Sequence, residues 1–179
     1  MTLDTRWEDV DTLLQRNSRT KNEKLIHAVQ QIAEARFKYP TPEHASYRAY
    51  VNLPDVTMAV QAGRDELAPE IVVVERINTG DTELRITASV VDIEQVNEAE
   101  AQRHWACFAQ IPDQAFYLYV PVGYGARAKQ ICRRLKIRPE GFRTWRTTPR
   151  GFEVNDISGP PGAFDALMPG FVRRALATP

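Results

Sequence analysis

Two carboxylates, Asp92 and Glu94, stand two positions apart at the end of the apolar-rich run 84–93. In a strand, residues i and i+2 point to the same face. Leu84, Ile86, Ala88 and Val90 therefore form an apolar row that leads into the two acids. An acid pair at the edge of a core suits a divalent cation such as Mg²⁺ or Mn²⁺, which takes hard oxygen ligands. The same pair has a plainer structural reading. It lies just ahead of a helix start at Asn97, where carboxylates are favoured by the helix dipole, and a β-bulge within the run would undo the parity.

The 23 basic and 23 acidic residues cancel, but they are unevenly placed. Residues 1–124 hold 12 Lys/Arg against 19 Asp/Glu and residues 125–179 hold 11 against 4, net charges of −7 and +7. A basic tract of this kind is either the footprint of a nucleic-acid site or the counterpart of the acidic half within one fold. Helical spacing leaves Arg133 and Arg134 outside the stripe of Ile131 and Leu135, and Arg143 and Arg146 follow on a strand. The expectation is a basic face formed by Arg133, Arg134, Lys136, Arg138, Arg143 and Arg146, with Arg133, Arg134, Arg143 and Arg146 as the residues that contact DNA phosphates. Cys107 and Cys132 are too few for a disulfide framework and lack zinc-ligand spacing, so both are expected as buried thiols. His27, His44 and His104 fall on different elements without ligand spacing and are expected to play no part in a site.

Helical periodicity over 20–39 places Leu25, Ala28, Val29, Ile32, Ala33 and Arg36 along one amphipathic helix that Pro40 and Pro42 terminate. A separate, shorter helix with Trp7, Val10, Leu13 and Leu14 is expected before it. From Ala45 the pattern turns to β, with strands predicted over 47–51, 56–61, 71–77 and 84–93 as a meander. Asn97 caps a helix to about Gln110, with Glu100 reaching back as in a capping box. Ala101, Trp105, Phe108 and Ala109 form its apolar face, which assigns Trp105 to the core. Residues 116–121 read as a strand buried on both faces, 125–135 as a helix, and 142–147 with 152–157 as a hairpin; the strands at 71–77, 84–93 and 116–120 are expected in one sheet, the helical crossover setting the last parallel to the second, and a last short helix is expected in the tail. The fold class is α/β, divided into an N-terminal helical extension (1–19), a domain (20–157) with a mixed sheet flanked by helices and a C-terminal hairpin, and a tail (158–179).

That order, with Pro69-Glu70-Ile71-Val72-Val73-Val74 ahead of a hairpin turn, resembles the core of the PD-(D/E)XK nuclease superfamily, the restriction-endonuclease-like fold. The likeness is strongest from Val91-Asp92-Ile93-Glu94 through Trp105 and Phe108 to Phe116-Tyr117-Leu118-Tyr119-Val120-Pro121. It is similar to bacterial members in which an acidic motif ends the third strand, a Trp-bearing helix follows, and a strand ending Val-Pro comes next. The resemblance covers about residues 20 to 137. It implies phosphodiester cleavage by a divalent metal held between carboxylates of neighbouring strands, the metal activating water and stabilising charge on phosphate oxygens.

Three registers of the family motif are open. Aligned without a gap, its positions fall on Ser89 and Val91, which cannot bind a hard metal, and the chain is a pseudo-nuclease. With a shorter loop before Asn97 they fall on Asp92 and Glu94, with Glu70 as the first acid; Glu70, Asp92 and Glu94 are then catalytic, and Glu70 and Asp92 hold Mg²⁺ or Mn²⁺. The third register pairs Asp55 with Glu75 and the apolar Ile77. No lysine follows at either i+2 position. The resemblance thus implies a divergent relative of DNA-cleaving enzymes, inactive in the first register. The alternative is a non-enzymatic, homodimeric protein-interaction domain that retained the fold, since fold does not fix function.

A chain of 179 residues with 43% apolar and 26% charged residues has an ordinary globular composition, which excludes disordered and collagen-like classes. Its longest apolar runs fall far short of the ~20 residues of a membrane span. The acidic start, with Asp4, Glu8, Asp9 and Asp11, lacks the basic, then apolar, opening of a secretory signal, so a cytoplasmic protein is expected.

Overall fold

The computed structural model describes residues 7–157 apart from residue 79, with side chains described from Asn22 onward; the helix expected in the tail lies outside the described residues. The first element is one uninterrupted helix, α1 (Trp7–Arg36), where two helices were expected. The residues between the two expected segments include no proline or glycine, so nothing in the backbone stops the ladder. Ala28, Val29 and Ile32 are fully buried, in keeping with the predicted stripe.

Eight strands and three helical segments follow. The strands are β1 (Tyr47–Val51), β2 (Val60–Ala62), β3 (Asp65–Leu67), β4 (Ile71–Arg76), β5 (Thr82–Val90), β6 (Ala115–Pro121), β7 (Gly141–Thr148) and β8 (Gly151–Asp156). Between β5 and β6 lie α2 (Glu98–Glu100) and α3 (Ala106–Ala109), joined through Ala101–Trp105 by a wider helical turn in which Ala106 N–H reaches Ala101 O. Between β6 and β7 lies α4 (Gly125–Leu135).

Six strands make one mixed sheet in the order β1-β4-β5-β6-β7-β8. β1, β4 and β5 are successively antiparallel, β6 runs parallel to β5, β7 parallel to β6, and β8 closes as an antiparallel hairpin partner. The three central strands expected in one sheet are there, and β6 is parallel to β5 as the helical crossover predicts. The expected second strand of the meander is not in the sheet. Residues 52–70 leave it, and β2 pairs only with β3 as a separate hairpin. Asn52 makes that excursion self-sufficient: its Nδ2 donates to Met58 O (2.7 Å) and Pro69 O (2.8 Å), and its Oδ1 accepts from Thr57 N and Met58 N at 2.8 Å each.

The sheet is covered on both sides, so the architecture is a three-layer α/β sandwich. On one side Val29, Ile32 and Phe37 pack on Ile71, Val73, Ala88, Val90 and Tyr119. On the other, Trp105, Phe108, Ala128 and Ile131 pack on Val72, Val74, Val91, Leu118 and Val120. The consecutive valines of β4 therefore divide between two cores, which is why they read as an unbroken apolar run. Among the described residues, no helix is long and apolar enough to cross a membrane.

Candidate functional site

Asp92 and Glu94 lie beyond the end of β5, which stops at Val90 instead of running to Ile93. Val91 N–H still donates to Tyr119 O, at 3.0 Å, but Asp92 and Gln95 then close on each other. Asp92 N–H donates to Gln95 Oε1 (2.9 Å), and Gln95 N–H donates to Asp92 Oδ1 (3.0 Å). This reciprocal pair consumes the backbone donors a longer strand would have offered, so the chain turns.

The apolar row expected to lead into these acids is also interrupted. Val73 faces Ile86 and Val74 faces Leu84, leaving Arg85 as an extra residue on β5. Leu84 consequently packs against the α4 side of the sheet, while Ile86, Ala88 and Val90 face α1. The bulged residue is held by Glu75, whose Oε2 accepts from Arg85 Nε at 2.7 Å.

Glu70 is positioned differently. It immediately precedes β4, and its Oε2 accepts from Val90 N–H at 3.0 Å, taking the place of a backbone carbonyl at the end of the ladder. Part of the residue reaches the surface, but its carboxyl is enclosed, and that burial pushes its pKa up to about 7. Bonds from Val90 N–H and the Ser89 hydroxyl oppose the rise, and the nearby Glu100 charge adds to it. Glu100 in turn lies 2.7 Å from His104 Nδ1. Asn97 caps the helix as expected, its Oδ1 accepting from Glu100 N–H at 2.9 Å. The Glu100 side chain, expected to reach back to Asn97, points forward one turn to His104 instead.

The carboxylates of the second register therefore separate. Glu70 sits with Ser89 and Glu100 on the α2 side. Asp92 and Glu94 line a groove of about 800 Å³ on the opposite side, with Leu25 and His27 of α1 and Pro121, Val122 and Trp145 at the ends of β6 and β7. Among the described residues, no group of three or more His, Cys, Asp or Glu side chains is placed to hold a metal ion. The third register is split as well. Asp55 is exposed in the loop after β1, and Glu75 lies opposite Tyr47 at the other end of that strand.

The basic residues do not share one face. Arg134 pairs with Glu98, and Arg146 lies 2.6 Å from Glu153 while lining the groove that holds Asp92. Arg143 donates to Tyr119 OH, stacks 4.8 Å from the centre of the Tyr117 ring, and has its Nε 2.5 Å from Asp156 Oδ1, out of line for a hydrogen bond. Arg133 and Arg143 alone of the four line a second groove, of about 730 Å³, together with Lys129 and Arg138.

Trp105 is fully buried, as its helical spacing implies. Cys132 is buried and its thiol pKa is raised by that burial to about 11, but Cys107 is half-buried, its Sγ donating to Arg103 O at 3.3 Å. His104, expected to play no part in a site, pairs with Glu100 one turn away, a contact that their i, i+4 spacing permits. Set against family models, curated proteins and solved structures, the chain has no match in any of the three.

Proposed function

We propose that this chain is a divergent, catalytically inactive member of the PD-(D/E)XK superfamily that binds DNA. Support for the fold comes from the sequence of elements: a helix, three successively antiparallel strands (β1, β4, β5), a helical crossover and a parallel strand β6. That is the arrangement the family core implies.

The observation that carries the loss of activity is the placement of Glu70. It stands where the first acid of the motif belongs, yet its neighbour on β5 is Ser89, and the next residue of that parity is the fully buried Val91. These are the positions of the ungapped register. A hard divalent cation needs several oxygen ligands, and a carboxylate engaged by a strand N–H, beside a serine and a valine, does not supply them. Fold and site thus part company, and the binding half of the proposal is supported by the net charge of +7 carried by residues 125–179, 11 Lys/Arg against 4 Asp/Glu.

The direct test is incubation of the full chain with single-stranded, duplex and branched DNA in Mg²⁺ or Mn²⁺. No cleavage is expected on any substrate. Metal-dependent cleavage that disappears in Glu70→Gln would overturn the inactive assignment. Absence of binding to all three substrates, with no cleavage, would favour the protein-interaction alternative.

A further inference from the structure

We propose that the groove between the C-terminal half of α4 and the start of β7 is a binding site for the phosphate backbone of DNA, with Arg133 and Arg138 as the groups that meet phosphates. The inference rests on the reading of the chain as a DNA-binding domain and names the surface that does the binding.

The groove is built by local structure at the end of α4. Lys136 adopts the left-handed conformation (φ 57°), its N–H returning to Arg133 O and the Ile137 N–H to Cys132 O at 2.9 Å. This is the usual way to end a helix and reverse the chain. Ile137 is buried beneath the reversal, and Arg138 is brought back to the groove that Arg133 enters from the last turn of the helix. The opposite wall depends on Gly141. A Cβ there would stand 2.2 Å from a ring carbon of Tyr117, so only glycine lets that ring pack against β7. Arg143 then covers Tyr117.

Their lack of charged partners separates the two arginines from the rest of the basic tract. Arg134 and Arg146 are neutralised by Glu98 and Glu153. Arg143 is held by Tyr119 and Asp156, and Asp156 also faces Arg36 at 3.7 Å. Lys129 lies over the Phe142 ring, 5.8 Å from its centre. Arg133 and Arg138 are exposed and, among the described residues, their side chains make no hydrogen bond or ion pair. Of the acids lining the groove, Asp156 is already matched, which leaves Glu140 against two uncommitted guanidinium groups. Guanidinium is the side chain that binds phosphate oxygens in bidentate fashion. Two such groups on separate segments suit two phosphates of one strand.

The test is fluorescence anisotropy of the full chain with a labelled single-stranded oligonucleotide and its duplex, across a series of salt concentrations. Log affinity should fall linearly with log salt. Arg133→Glu with Arg138→Glu should weaken binding at least tenfold and lower the slope by about 0.9 per lost contact on duplex, or about 0.7 on single-stranded DNA. The milder Arg133→Gln with Arg138→Gln pair should give the same direction with an unchanged melting temperature. Lys24→Glu, in the groove at the other ends of β6 and β7, should leave affinity unaltered. Wild type that binds but a double variant that binds equally well would overturn the groove while leaving the DNA reading standing. Wild type that binds neither probe would overturn both.

Discussion

Glu70 and Asp92 are acids at the ends of adjacent strands, and the protein uses them in opposite ways. The Glu70 carboxyl is enclosed, accepts from a strand N–H contributed by a residue 20 positions away, and has its pKa raised to about 7. Asp92 accepts from Gln95, three residues on, and with it closes a turn. One carboxylate is tied into the tertiary structure and the other into its own segment. Similar residues at similar strand ends thus acquire different physics from what packs against them.

The two largest expected effects both come from the tertiary acid. Glu70→Ala leaves Val90 N–H without its acceptor, and a buried unsatisfied donor costs about 1–3 kcal/mol. Urea denaturation at pH 5 should show a loss of that size. A smaller loss than that from Asp92→Ala would reverse the contrast between the two sites.

The next effect is a pH dependence. The carboxyl of Glu70 has a higher pKa folded than unfolded, so the folded state binds more protons between the unfolded value of 4.5 and the folded value of about 7. Its contribution to stability is present in full below 4.5 and is lost as pH rises through about 7. Glu70→Gln keeps an acceptor oxygen but cannot ionise. Relative to this variant, wild type should be similar at pH 4 and less stable at pH 8, by on the order of a few kcal/mol. A difference in urea midpoint that does not change between those two pH values would show that Glu70 is not enclosed as described.

Smaller still is the local acid. Asp92→Ala removes one acceptor from the turn and should cost about 0.5–1.5 kcal/mol, whereas Asp92→Asn, which retains Oδ1, should cost less. The smallest effect is an expected zero. With Glu70 on one side of the sheet and Asp92 and Glu94 on the other, Mn²⁺ should not move the melting temperature of wild type or of Asp92→Asn with Glu94→Gln. A bound ion at a hundredfold excess over its Kd would stabilise by about 2.7 kcal/mol, a shift that a thermal melt detects easily.

Periodicity carried most of the elements. The β1 and α4 boundaries agree with their apolar patterns, and β4, β6 and the β7–β8 hairpin differ by a residue or so at their ends. The strand at 56–61 failed because an alternating apolar pattern does not say whether its partner is the main sheet or a private hairpin. Here Asn52 and the β2–β3 pairing chose the latter. The site was less legible. Asp92 and Glu94 stood out because they are close in sequence, yet Gln95, equally close, turns the chain before the strand can present them. The link between Glu70 and Val90 spans 20 residues and leaves no periodic trace.

By itself the sequence determined where most helices and strands form, which faces of them are apolar, that a helical crossover would set β6 parallel to β5, and that positive charge gathers in the last third of the chain. Those properties follow from spacing and composition, which act over a few residues or add up over many. The tertiary structure decided the rest. It placed the Arg85 bulge that moves Leu84 to the other face from Ile86, put Glu70 and Asp92 on opposite sides of one sheet, and sorted the arginines into those bound by acids and those left exposed in a groove. Each of these depends on which partner is within hydrogen-bonding or Coulombic reach, and that is fixed only when distant segments pack.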